Sequence, residues 1–233
     1  MNSDKKNARI AGLWYLAIAI FYSFSMIYVD SAFYVSGDTA STVKNIQASG
    51  LIFRLGFFSC LLGHVSFLFL ANALYRLFSP ADKNLSRLMV ILVVAGVSVA
   101  FLNRLHQLAA LLILGSPSLL SAFEADQVNA LAMLFLDIHR HGEVTAILFW
   151  ALWLLPLGVL IIKSNLIPKT LGVLLILTCA CYLVDFVLFF FFPDLIYAFD
   201  APLSVIETVS EVAFILWLLI WGVKKIKPIE VPR

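Results

Sequence analysis

Residues 88–115 read LMVILVVAGVSVAFLNRLHQLAALLILG, an apolar run of span length with Asn103, Arg104, His106 and Gln107 set into its second half. About 20 apolar residues suffice for a helix to cross the roughly 30 Å hydrocarbon core, and a helix satisfies its own backbone there. Working outward, comparable runs stand near 10–29, 52–78, 131–162, 170–192 and 204–223. The expected fold class is therefore all-α: a polytopic transmembrane helical bundle of six spans. Barrel strands do not fit, because they use alternating segments of about ten residues and these runs are continuous.

Composition points the same way. Of 233 residues, 62% are hydrophobic and 13% are charged, with a mean hydropathy of +0.99. That charged share is about half the usual one, too little to cover the exterior of a water-soluble domain. The lipid bilayer is thus the expected surrounding partner. Net charge is only +2, and Lys and Arg stand in short groups with no basic face, which argues against nucleic acid as a partner. Cys60, Cys179 and Cys181 all lie in apolar runs and read as small packing residues, without redox or zinc spacing.

Lys5, Lys6 and Arg9 precede the first run as in a secretory signal, but its length and the lack of a small-residue cleavage site make it an uncleaved span. Placing both termini in the cytoplasm puts Lys5, Lys6, Arg9, Arg76, Lys83, Arg87, Lys163, Lys169, Lys224, Lys225, Lys227 and Arg233 on one side. Opposite them Lys44 is the one clear loop cation, as the positive-inside rule requires. The external segments are then 30–51, 116–130 and 193–203, carrying Asp30, Asp38, Glu124, Asp126, Asp194 and Asp200. No repeat or polar linker divides the chain, which suggests a single domain over 1–233 in the bacterial inner membrane.

Gly37 and Asp38 predict a turn, and 39–49 a short interfacial helix. The fourth run is long: 127–162 would extend about 54 Å at 1.5 Å per residue. It must project, tilt or break, with Gly142 as the expected joint and a kink at Pro156.

Ionisable groups inside apolar runs are costly and normally face a bundle interior or a watery cavity. Here they gather at one expected depth: Arg54 in the second run, Asn103, Arg104, His106 and Gln107 in the third, and Asp137, His139, Arg140, His141 and Glu143 in the fourth. Asp185 in the fifth and Glu207 and Glu211 in the sixth complete the set. Arg104 and Gln107, Asn103 and Gln107, His139 and Glu143, and Glu207 and Glu211 are three or four apart and share helix faces. Two readings fit: a polar chamber open outward that binds something, or Arg–carboxylate pairs that only orient helices. His64, alone in the second run, reads as a hydrogen-bonded core histidine.

His139, Glu143 and Asp185 supply nitrogen and oxygen donors of a kind zinc or manganese accepts, but no H-E-x-x-H accompanies them. The expected resident metal is none, and any cofactor is left open. No nucleophile elbow, phosphate loop or dinucleotide fingerprint is present.

Several motifs carry a family resemblance. They are Ala8-Arg9-Ile10-Ala11-Gly12-Leu13, Phe53-Arg54-Leu55-Gly56-Phe57, Leu134-Phe135-Leu136-Asp137-Ile138-His139 with Gly142, and Leu166-Ile167-Pro168-Lys169 with Leu171-Gly172-Val173-Leu174-Leu175. Together they resemble the bacterial integral membrane family catalogued as domain of unknown function 4386. The resemblance implies a multi-span membrane protein and draws attention to Arg54 and His139, while Arg140 and His141 depart from its pattern. It implies no activity and no functional residue.

The leading functional expectation is a chamber for a small amphipathic or lipid-like ligand, with arginines on an anionic head. Alternatives are a membrane-embedded hydrolase or transferase using His139 and Glu143, a proton-coupled transporter using Asp185, Glu207 and Glu211, and a purely structural component. Ligand identity and oligomeric state are left open by the residues.

Overall fold

The computed structural model describes residues 3–35 and 37–224. Lys225, Lys227, Arg233 and the Asp200 side chain, counted above as loop charges, lie outside the described residues. Those described are helical, joined by turns, with no strand among them. The elements are α1 (Ser3–Tyr22), a π-helical segment (Ser23–Val29), α2 (Asp30–Phe33), α3 (Thr39–Ala48), α4 (Gly50–Phe78) and α5 (Lys83–Leu114). They continue as α6 (Pro117–Ala122), α7 (Ala125–Leu152), α8 (Leu154–Ser164), α9 (Lys169–Phe191) and α10 (Pro193–Ile220). Among the described residues, six stretches are long and apolar enough to cross a membrane: Ser3–Phe33, Gly50–Phe78, Lys83–Leu114, Ala125–Ser164, Lys169–Phe191 and Ala201–Ile220. The protein is a multi-pass α-helical membrane protein.

The long fourth stretch breaks, though not where glycine suggested. α7 runs straight through Gly142 and ends at Leu152, and α8 starts after Trp153. Pro156 explains the position: lacking an N–H, it cannot bond the carbonyl four residues back, at Leu152. Gly142 is instead a site of close approach, described below.

Packing divides the chain into two compact units, and the division cuts through α1, α4, α5 and α7. Of the described residues, the first unit comprises 3–15, 68–94 and 147–224. Its core holds Trp153, Leu157, Leu160 and Ile161 from α7–α8, Leu175 from α9, and Phe214 and Leu218 from α10. Tyr15 meets Trp153 and Phe214 edge-on, with ring centroids 6.0 Å away in each case. In the turn between α4 and α5, Asp82 caps α5 by accepting from the Leu85 amide at 3.0 Å and takes Lys163 Nζ at 2.8 Å. The Lys163 hydrogen bond, with that of Leu85, holds the Asp82 carboxyl below its ordinary range.

The second unit comprises Leu16–Phe67 and Ala95–Ala146. Gly37, at φ +75°, makes the turn before α3, and Asp38 caps that helix by accepting from the Ser41 amide at 2.9 Å. Val43 and Ile46 on α3 then reach an apolar layer with Val29, Phe33, Phe53, Ala110, Ile113, Leu114, Val128, Ala132 and Leu136. About one to three turns away along α4, α5 and α7, the residues change character. There the first span's Tyr22 ring lies against Gly63, where a Cβ would overlap it, and edge-on to His64 at 5.3 Å. His64 Nδ1 lies 2.6 Å from the Cys60 carbonyl. This polar stratum beneath the apolar layer contains the candidate site.

Candidate functional site

Asn103, Arg104 and Gln107 stand within about one turn of α5, and all are buried. Arg104, 1% exposed, donates through Nη1 to Gln107 Oε1 at 3.0 Å and to His139 Nε2 at 3.1 Å, and its Nη2 pairs with Glu143 Oε1 at 3.4 Å. A guanidinium has no lone pair, so His139 Nε2 must be the acceptor and the ring proton sits on Nδ1. The Asn103 backbone carbonyl, 3.2 Å from Nδ1, accepts its hydrogen bond, and Asn103 Nδ2 lies 3.0 Å from the same nitrogen. His139 is therefore neutral and fixed at both nitrogens. Asn103 Nδ2 closes the ring of contacts by donating to the His139 carbonyl at 2.9 Å and to Glu143 Oε1 at 3.1 Å. His106 Nδ1 lies 3.1 Å from the Asn103 carbonyl.

Gly142 makes this possible. A Cβ there would overlap the Asn103 side-chain amide, so only glycine lets that amide pass between His139 and Glu143 on α7.

The stratum also holds polar atoms that nothing satisfies. Arg104 Nε, the Tyr22 and Tyr34 hydroxyls and Asp30 Oδ1 are buried and have no hydrogen-bond partner among the described residues. Asp30 lies within electrostatic range of Arg104, Glu143 and Arg140, and Tyr22 within that of Arg104 and Glu143. Tyr34 lies just past the end of the first spanning stretch, and burial, ahead of the nearby Asp30 charge, pushes its phenol well above the ordinary range. It keeps its proton and offers it as a donor. Orphaned groups of this kind cost about 1–3 kcal/mol each and are rare unless something answers them.

Comparison with known proteins places the chain. The profile described as "Domain of unknown function (DUF4386)" matches residues 10–222. The chain belongs to that family. It is also 28% identical over 164 residues to an "Uncharacterized protein" of Archaeoglobus fulgidus, a match covering 70% of this chain and 80% of the relative. That relative is archaeal, where the sequence resemblance implied a bacterial source. No solved structure is significantly similar.

In this DUF4386 member the expected site residues fall into distinct settings. Asn103, Arg104, Gln107, His139 and Glu143 form the bonded network, with His106 at its edge. Arg54 is exposed and lines a groove of about 490 Å3 with Leu55, Phe57, Phe58, Leu108, Leu111 and Leu112. Asp137 and Arg140 are exposed on α7. Asp185, Glu207 and Glu211 belong to the first unit. There Glu211 Oε2 accepts from the Tyr15 hydroxyl and Oε1 from the Tyr182 hydroxyl, each at 2.9 Å. Tyr22, Asp30 and Tyr34 were not expected at the site. Asp30 read as a loop acid, and the sequence pattern assigned Tyr22 and Tyr34 no role, so only the unsatisfied atoms disclose them.

Chemically, the network suits holding more than proton transfer. The lone pair of His139 that a base would use is engaged by Arg104. His139 Nε2 and Glu143 Oε1 are 3.8 Å apart, but a metal ion between them would face the guanidinium at close range. Among the described residues, no group of three or more His, Cys, Asp or Glu is arranged to hold a metal.

Proposed function

We propose that this membrane protein binds a small amphipathic or lipid-like ligand in the second unit, with the ligand's polar head in the stratum of Arg104, Asn103 and His139. One observation carries the reading: Arg104 Nε is buried without a partner although the other two guanidinium nitrogens are engaged. The Tyr22 and Tyr34 hydroxyls add two donors and Asp30 Oδ1 adds an acceptor, a set matched by a head bearing both acceptor and donor atoms. The layer of Phe33, Phe53 and Leu136, packed over the stratum, supplies apolar surface to the ligand's non-polar part when it opens.

The ligand test is native mass spectrometry of the full chain released from mild detergent. A retained small amphipathic species is expected in the wild type and in Arg54→Gln, and its loss in Arg104→Gln. Tyr34→Phe, which removes one hydroxyl with no protein partner, should weaken retention about tenfold at unchanged stability. A wild type that carries water alone, or full retention in Arg104→Gln, would end the proposal.

We further propose that both termini lie in the cytoplasm, with α3 on the opposite face of the cytoplasmic membrane. The grouping of Lys and Arg supports this orientation. A membrane-impermeant thiol reagent added to intact cells should label Lys44→Cys and spare Lys83→Cys. The reverse pattern would invert the topology.

A further inference from the structure

A second groove, wholly within the first unit, is lined by Leu68, Ala71, Asn72 and Tyr75 of α4 and by Arg87, Val90, Ile91 and Val94 of α5, with a volume of about 410 Å3. Its walls face out of the protein: Ile91 is 63% exposed and Val94 46%. Asn72 and Arg87 are exposed as well, although both lie inside spanning stretches. No hydrogen bond or ion pair to another described residue engages the side chain of Asn72, Tyr75 or Arg87. An outward amide in a span is costly in hydrocarbon unless something there bonds to it.

Depth identifies what that is. Asn72 precedes the α4 end at Phe78 by about 9 Å, and Arg87 follows the α5 start at Lys83 by about 6 Å, taking 1.5 Å per residue. Those distances put the two groups in the zone of phospholipid headgroups and ester carbonyls, where arginine stems lie along apolar surface and their heads reach the interface. Lys83 precedes Arg87 by one turn, so the mouth of the groove carries positive charge.

We propose that this groove is a binding site for one anionic phospholipid. The phosphate sits on Arg87 and the Tyr75 hydroxyl, an ester carbonyl accepts from the Asn72 amide, and an acyl chain follows Leu68, Ala71, Ile91 and Val94. The site is independent of the Arg104 stratum, so either reading can fail without the other.

The test uses the full chain in phosphatidylcholine nanodiscs doped with phosphatidylglycerol, read by native mass spectrometry. The wild type is expected to eject with one phosphatidylglycerol bound, and Arg87→Gln should lower that occupancy about tenfold, the scale of one charge-assisted hydrogen bond. Asn72→Leu should lower it too, whereas Arg76→Gln, outside the groove, should not. Excess inorganic phosphate should leave the lipid in place. Equal occupancy in all variants, or displacement by phosphate, overturns the proposal. Should Arg87→Gln fail to fold, photoreactive phosphatidylglycerol on the wild type decides: cross-links within 68–94 support the site, and labelling elsewhere refutes it.

Discussion

Replacing Arg104 by leucine should destabilise the protein by about 3 kcal/mol, the low end of what removing one partner from a buried charge network costs. The guanidinium answers Gln107, His139 and Glu143 at once, and leucine answers none. The lower end is expected because the Glu143 side chain, 20% exposed, can rehydrate, and a freed imidazole can change tautomer. Arg104→Lys keeps the charge but cannot reproduce the fork, so it should lose about half as much. Unfolding midpoints in nanodiscs measure both. Wild-type stability in Arg104→Leu would mean that the contacts described here contribute nothing.

A comparable loss should follow a single added methyl group. In Gly142→Ala the new Cβ occupies the place of the Asn103 amide, which can move only by giving up the His139 carbonyl and Glu143. Overpacking and the broken bonds together should cost about 2–3 kcal/mol. A double-mutant cycle isolates the cause, because Asn103→Ala removes the group that alanine strikes. The double variant should therefore be more stable than the two single losses predict, by about 1 kcal/mol or more. Strict additivity would show that Gly142 acts by some other route.

Much of this was legible in the residues themselves. Apolar runs marked six spans, since hydrocarbon thickness and backbone satisfaction leave a helix little freedom in length. Spacing on a single helix was legible for the same reason: Arg104 with Gln107, and His139 with Glu143, share faces by the helical period alone. What no period reveals is which helix lies beside which. Glu211 had been grouped with the arginines by depth, yet its two oxygens go to Tyr15 and Tyr182. Arg54 and Arg104 were expected to serve one ligand, but the first is exposed beside an apolar groove and the second is buried. Gly142 was read through its backbone freedom, as a hinge, when its missing side chain is what matters. The π-helical turn at Ser23–Val29 left no mark in composition that would distinguish it from the α-helix around it.

The apolar layer under α3 bears on time as well as on shelter. Phe33 and Phe53 meet edge-on at 5.4 Å, and Val43, Ile46, Ile113 and Leu136 close around them, so nothing reaches Arg104 from that side while they stay packed. Such an opening is a local unfolding event, with a timescale of microseconds to seconds. A solute that leaves by that side would do so at the pace of those aromatic rings, and its residence would outlast what the strength of its own bonds implies.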